Sequence, residues 1–202
     1  MSVKVETLVL GNIETNCYLL STPDTVLVID PGFSPRRIME KINNEYKSQL
    51  DAVLLTHGHF DHIGAVDALV RTYHCPVYGC QDDEKLFTEP STNSLFFHSA
   101  TVKSEITWLE TSELIIGDIS VRIHYTPGHS PGSVMFEIDG KLFAGDTLFF
   151  ESVGRTDLYG GSFSQLKQSL MVLNELPYDM IIYPGHGETT TVGHELQYNP
   201  YL

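Results

Sequence analysis

The sequence predicts an α/β fold in which two sheets face each other with helices on their outer sides. Three observations carry this prediction. Strand-like and helix-like runs alternate along the chain. Each half repeats one succession, strands and helix together with a loop rich in histidine and aspartate. No linker or low-complexity segment divides the halves, so residues 1–202 read as one domain, and 42% hydrophobic residues suffice for a core.

The first thirty residues read as a meander of strands. Val3, Val5 and Thr7 alternate with Lys4, Glu6 and Leu8, and strands at 16–20 and 26–29 follow around the turn at Pro23-Asp24. Asp30-Pro31-Gly32 stops the third strand. Asp30 has two readings there: holding the turn, or orienting a ligand imidazole. Ser34-Pro35 reads as a cap and a first-turn proline, opening a helix with Ile38, Met39, Ile42 and Tyr46 on its apolar face. A strand at 52–55 is followed by a helix over about 64–73 and a short strand at 76–79.

Residues 81–104 are polar around Phe87, Leu95, Phe96 and Phe97. These side chains are expected to pack on the core, the alternative being the wall of a substrate pocket. His98 is read as a surface histidine. Strands return at 114–116, 121–125, 134–138 and 141–144, with turns at Gly117-Asp118 and Asp139-Gly140, and His124 is placed on an outer face. A helix at 163–173, a strand at 180–183 and a short helix at 192–198 complete the chain.

Chemistry concentrates in Thr56-His57-Gly58-His59-Phe60-Asp61-His62, directly after the apolar run Ala52-Val53-Leu54-Leu55. Neutral imidazole suits zinc and other borderline transition metals, and an ionised aspartate adds a hard oxygen. If the backbone stays extended over 57–59, His57 and His59 point to one side and hold one ion. Asp61 and His62 then fall at a helix N-terminus, because Ile63, Val66, Leu69, Val70 and Tyr73 recur at helical spacing. Two neighbouring metals follow, one for each pair. Three further strand ends carry a candidate ligand beside glycine: His129 in Pro127-Gly128-His129, Asp146 in Gly145-Asp146-Thr147, and His186 in Pro184-Gly185-His186-Gly187.

Composition narrows the partners. A net charge of −14 weighs against nucleic acid and anionic membrane surfaces. Neither a signal-peptide pattern nor a bilayer-length apolar run occurs, and Cys17, Cys75 and Cys80 lack disulfide or CxxC spacing. A cytoplasmic protein acting on a small molecule is the expectation, with the cysteines in the core. The oligomeric state is not legible.

The HxHxDH motif at 57–62, with His129, Asp146 and His186 in this order, resembles the metallo-β-lactamase superfamily over nearly the whole chain. Thr-His-Gly-His-Phe-Asp-His, Gly-Asp-Thr-Leu-Phe and Pro-Gly-His-Gly are similar to the glyoxalase II-like hydroxyacylglutathione hydrolases. The resemblance implies a four-layer αββα sandwich. It also implies two divalent ions, zinc by expectation with iron or manganese as alternatives. By position His57, His59 and His129 would hold the first, Asp61, His62 and His186 the second, and Asp146 would bridge. A metal-bridging hydroxide would attack the carbonyl, and Asp61 could orient it as well as ligate.

Thioester hydrolysis is the favoured reaction, because a thiolate leaves without a general acid and the chain offers none beyond metal-bound solvent. Glyoxalase II enzymes carry a helical carboxy-terminal region that grips glutathione, and only sixteen residues follow His186, so no separate glutathione-binding domain is expected. The segment 152–157 with Gly160-Gly161 resembles a short bacterial branch of that family. Arg155 is a candidate substrate contact, or a partner for Asp157 that stiffens the loop. The same Gly-Arg-Thr-Asp element resembles persulfide dioxygenases, in which His57, His129 and Asp146 would hold a single iron. That enzyme and a non-catalytic metal-binding protein are the competing readings; a nuclease is disfavoured by the charge.

Overall fold

The computed structural model describes residues 2–95 and 98–202. The expectations for Phe96 and Phe97 lie outside them, as do the side chains of Leu95 and His98. Two six-stranded sheets form the centre. The first contains β1 (Lys4–Leu10), β2 (Thr15–Ser21), β3 (Val26–Ile29), β4 (Ala52–Leu54), β5 (Val77–Gly79) and β6 (Thr107–Trp108). The second contains β7 (Glu113–Ile116), β8 (Ile119–Tyr125), β9 (Val134–Ile138), β10 (Lys141–Gly145), β11 (Ile181–Pro184) and β12 (Thr190–Thr191). Spatial order follows chain order in both. Pairing is antiparallel from β1 to β3 and from β7 to β10, parallel from β3 to β6 and between β10 and β11, and antiparallel again at β12.

Alternation of side chains sorts the residues into layers. Leu27 and Ile29 of β3, Tyr18 and Leu20 of β2 and Leu54 of β4 pack against Val121, Ile123, Val134, Phe136 and Phe143, filling the space between the sheets. Val26 and Val28, one residue out of phase, pack outward on α1 (Pro35–Glu45) and α3 (Val66–Tyr73) through Ile38, Ile42, Val66 and Leu69. On the opposite side Met135, Leu142, Ala144 and Ile182 meet Leu166, Leu170, Leu173 and Val192. Those residues come from a helix at Phe163–Ser169, a 3₁₀ turn at Leu170–Glu175 and a helix at Val192–Tyr198. The result is the αββα sandwich, and both faces of each sheet are covered, as parallel strands require.

Three local expectations are corrected. Ser34 does not cap α1: its backbone is left-handed at φ 52°, its side chain makes no cap hydrogen bond, and its carbonyl accepts from the Arg37 amide at 2.9 Å. The helix expected over about 64–73 is α3, but Asp61 and His62, expected at its N-terminus, lie in a separate short helix, α2 (Phe60–Ile63), set off by Gly64-Ala65. The run expected as helix to 173 tightens into the 3₁₀ turn after Ser169. Phe87 is fully buried in the core, as expected.

The parallel registers put the C-terminal ends of β3, β4, β10 and β11 on one edge of the sandwich, where the end of β8 also lies. Asp30, His57–His62, His129, Asp146 and His186 follow those ends, so one edge collects every candidate ligand.

Candidate metal centre

Of three donor groups on this edge, Asp30 with His57 and His62 being one, the other two match the expected ligand sets. His57, His59 and His129 bring their ligand atoms within 4.8 Å of one another, and Asp61, His62 and His186 do the same. All six come from the predicted set. Asp146 stands between the groups: its Oδ2 is 3.7 Å from His129 Nε2 and 3.5 Å from His186 Nε2, and its Oδ1 is 3.3 Å from His62 Nε2.

Acceptors behind the imidazoles fix which nitrogen is free. His62 Nδ1 donates to Asp30 Oδ2 at 2.9 Å, His129 Nδ1 to the Arg155 carbonyl at 2.7 Å, and His186 Nδ1 to the Ile13 carbonyl at 3.0 Å. Thr56 Oγ1 donates to Asp30 Oδ2 at 2.6 Å and can therefore accept from His57 Nδ1 at 3.0 Å. Four rings thus keep the Nε2 lone pair for the interior of the site. His59 is reversed, with Nδ1 only 2.8 Å from His129 Nε2.

These donors fit divalent cations. His57 Nε2, His59 Nε2, His62 Nε2 and Asp146 Oδ1 are buried with no hydrogen-bond partner among the described residues, and buried polar atoms are rarely left so. His59 Nδ1 and His129 Nε2 face each other at a distance that needs a proton or a cation between them.

Protonation points the same way. Burial, then the neighbouring His62 and His129, pushes His57 well below the ordinary histidine value; burial and His129 bring His59 to about 3. Both are therefore neutral at pH 7, the form in which an imidazole can ligate a metal. Around the other group burial opposes charge, but the His62 and His186 imidazoles hold the Asp61 carboxyl far down, and Asp61, Asp146 and Asp30 hold His62 well up.

The remaining sites sort plainly. Asp30 takes its orienting role: its carboxylate accepts from the Thr56 amide at 2.8 Å as well as from Thr56 Oγ1 and His62. Of the two readings of Arg155, the pairing with Asp157 is present, at 2.7 and 2.8 Å, and the residue also lines the cleft. His124 faces Glu137 at 2.9 Å, away from the site. The cysteines are free and buried, and burial raises all three thiols, Cys75 to about 11, so none is a ready nucleophile.

Sequence reading missed several supports. The Ile13 and Arg155 carbonyls have no sequence signature, since any residue supplies a carbonyl. Thr15, whose hydroxyl donates to Asp61 Oδ2 at 3.1 Å, reads as an ordinary strand residue. Asp83 and Asn93 lie in polar stretches indistinguishable from surface.

A cleft of about 230 Å³ opens over the donors. Ile13, Phe60, Thr92, Asn93, Arg155 and Leu158 complete its wall. Asn93 is occupied, with Oδ1 accepting from the Phe60 amide and Nδ2 donating to the Gly58 and Leu86 carbonyls. The Thr92 hydroxyl is committed to the Lys85 and Glu89 carbonyls. No helix among the described residues is long and apolar enough to cross a membrane.

Comparison with known proteins agrees with the fold. A family model described as the metallo-beta-lactamase superfamily matches residues 10–186. The probable metallo-hydrolase YqgX of Bacillus subtilis is 38% identical, with 95% of this chain and 94% of that protein covered. The hydroxyacylglutathione hydrolase GloC of Haemophilus influenzae is 32% identical over 99% of this chain and 98% of its own. Among solved structures, the BLEG-1 B3 metallo-beta-lactamase has a TM-score of 0.93 at 36% identity, covering 98% of this chain and 99% of its own. TTHA1623 in a di-iron-bound form has 0.87 at 34%, covering 98% and 100%. ETHE1 from Myxococcus xanthus has 0.77 at 28%, covering 98% and 83%.

Proposed function

The chain belongs to the metallo-beta-lactamase superfamily, a family of metallo-hydrolases, and from that premise we propose that it hydrolyses thioesters, hydroxyacylglutathione among them, on two divalent ions. His57, His59 and His129 would hold one ion, Asp61, His62 and His186 the other, and Asp146 would bridge. The observation that carries the dinuclear reading is the position of Asp146, within 3.7 Å of donors from both groups. Zinc suits the imidazole-rich donors, and the di-iron neighbour keeps iron among the candidates. When bound, the ions supply an acidified water and an electrophile for the carbonyl oxygen.

The chain's own residues shape the reaction around that chemistry. Ile13, Phe60 and Leu158 give the acyl group an apolar wall and displace bulk water. Outside the donor set, Arg155 is the one titratable group lining the cleft among the described residues. A guanidinium does not release a proton at neutral pH, so it cannot protonate a leaving group. Thr92 and Asn93 spend their donors on backbone carbonyls. An amide nitrogen must be protonated as it departs; a thiolate, with a conjugate acid near pKa ~8.5, need not be. This favours a thioester over a β-lactam, the substrate class named for the BLEG-1 neighbour. Arg155 is available to a carboxylate on the substrate through the guanidinium nitrogen that Asp157 leaves free.

Thiol release from S-lactoylglutathione and simpler acyl thioesters tests the proposal. Hydrolysis should vanish with chelator and return with divalent metal, and β-lactams should be poor substrates. Oxygen uptake with a persulfide, on one iron per chain and without thioesterase activity, would overturn it in favour of the dioxygenase reading.

A further inference from the structure

Asp83 is 1% exposed, and its carboxylate accepts three hydrogen bonds from two separate segments. Oδ2 takes the Gly58 amide at 2.8 Å and the Ser130 hydroxyl at 2.7 Å, and Oδ1 takes the Gly132 amide at 2.6 Å. Gly58 lies between His57 and His59, and Ser130 follows His129. One buried carboxylate therefore ties together the two segments that supply all three nitrogens of the tri-histidine group.

The simpler role for an aspartate at this place is a helix cap. Asp83 immediately precedes the helix Glu84–Thr88, yet its side chain makes no cap hydrogen bond. Both oxygens are turned instead towards the metal loops. The approach is close enough to exclude side chains: a Cβ on Gly132 would stand 2.8 Å from Asp83 Cγ, and one on Gly58 would meet Leu86 Cβ at 2.6 Å. At the next peptide, Asn93 Nδ2 donates to the Gly58 carbonyl at 2.6 Å. The turn between the two histidines is thus held at both its N–H and its C=O. Ser130 is fixed in turn, since its hydroxyl also meets Ser133 Oγ at 2.7 Å.

We propose that Asp83 is a positioning residue for the tri-histidine site, setting the spacing of His57, His59 and His129 without touching metal or substrate. The proposal rests on the reading of those three residues as ligands of one ion. Loss of a group that orients ligands from behind typically costs about 10- to 100-fold in metal affinity. Because Asp83 reaches only the first group, the loss falls on one of two metal equivalents. A purely structural carboxylate would weaken both equally or lower the stability of the metal-free fold alone.

Equilibrium zinc titration of the full chain, with competing chelator, tests this. Asp83→Asn keeps the volume but removes the charge and replaces one acceptor by a donor. It should weaken one equivalent by about 10- to 100-fold and leave the other within about threefold. The weakened equivalent should be the one lost in His59→Ala and retained in His186→Ala. Ser130→Ala, which removes one of the three contacts, should weaken the same equivalent less, and it carries the test alone if the melting curve of metal-free Asp83→Asn shows no folded protein. Two equivalents in wild type with unchanged or equally weakened affinities in the variants would overturn the role of Asp83 and leave the dinuclear reading standing. Wild-type protein that binds no zinc would overturn both.

Discussion

The Asp30 carboxylate receives the Nδ1 proton of His62 at 2.9 Å and, through the Thr56 hydroxyl, reaches His57 as well. One buried acid at the end of β3 thus orients an imidazole in each donor group. It fixes the tautomer that leaves Nε2 free on both. Asp30→Ala should lower metal affinity or turnover by about 10- to 100-fold, with both equivalents affected, as metal titration would read. Asp30→Asn should fall between the two, since its amide still offers one acceptor oxygen.

Gly185 backs directly onto the Asp146 carboxylate. A Cβ there would stand 2.0 Å from Asp146 Oδ1 and 2.9 Å from His62 Cε1. Gly185→Ala must therefore displace Asp146 or the strand end that carries His186. A shift of about 1 Å at a reacting centre can cost about 100-fold in rate, and a loss of that order in kcat is expected while the far-UV spectrum stays unchanged.

Arg155 is held side-on by Asp157 at 2.7 and 2.8 Å, and its own carbonyl orients His129. Because the carbonyl belongs to the backbone, Arg155→Met leaves that contact and removes only the guanidinium. KM for thioesters bearing a carboxylate should rise about tenfold, in keeping with a partly exposed charge-assisted hydrogen bond, with kcat for a neutral acyl thioester little changed. Equal losses for both substrates would assign Arg155 to loop stiffness alone.

Much of this was legible in the chain. Alternation over Val3–Leu8 and the apolar run Val26–Ile29 mark strands of the first sheet, and His57, His59, Asp61, His62, His129, Asp146 and His186 stand out because histidine and aspartate beside glycine recur at strand ends. What escaped reading has a physical reason. Ser34 failed as a cap because its backbone turned left-handed, a property that tertiary packing sets. Asp83 and Asn93 act on loops 25 to 49 residues away, and nothing local distinguishes an aspartate that reaches across the fold from one that faces water. The orienting carbonyls of Ile13 and Arg155 carry no residue type at all.

Away from the site, Glu6 on β1 offers a pH probe. Burial would raise its carboxyl, but hydrogen bonds from Lys4, Lys41 and Tyr46 prevail and bring it from 4.5 to about 2. A depressed folded value means that the contribution to stability is complete above about pH 4.5 and is lost as pH falls through about 2. Melting temperatures of wild type and Glu6→Gln should therefore differ above pH 4.5 and converge towards pH 2. A difference that persists unchanged through that window would assign the Glu6 contacts no charge-dependent role.

The most direct test of a bridged two-ion site is the metal content of protein purified without chelator and then brought to saturation. The geometry predicts two ions per chain in wild type. Asp146→Ala, which removes the carboxylate shared by His129 and His186, should hold both weakly. A single ion per chain at saturation, unaltered by the loss of Asp146, would contradict it.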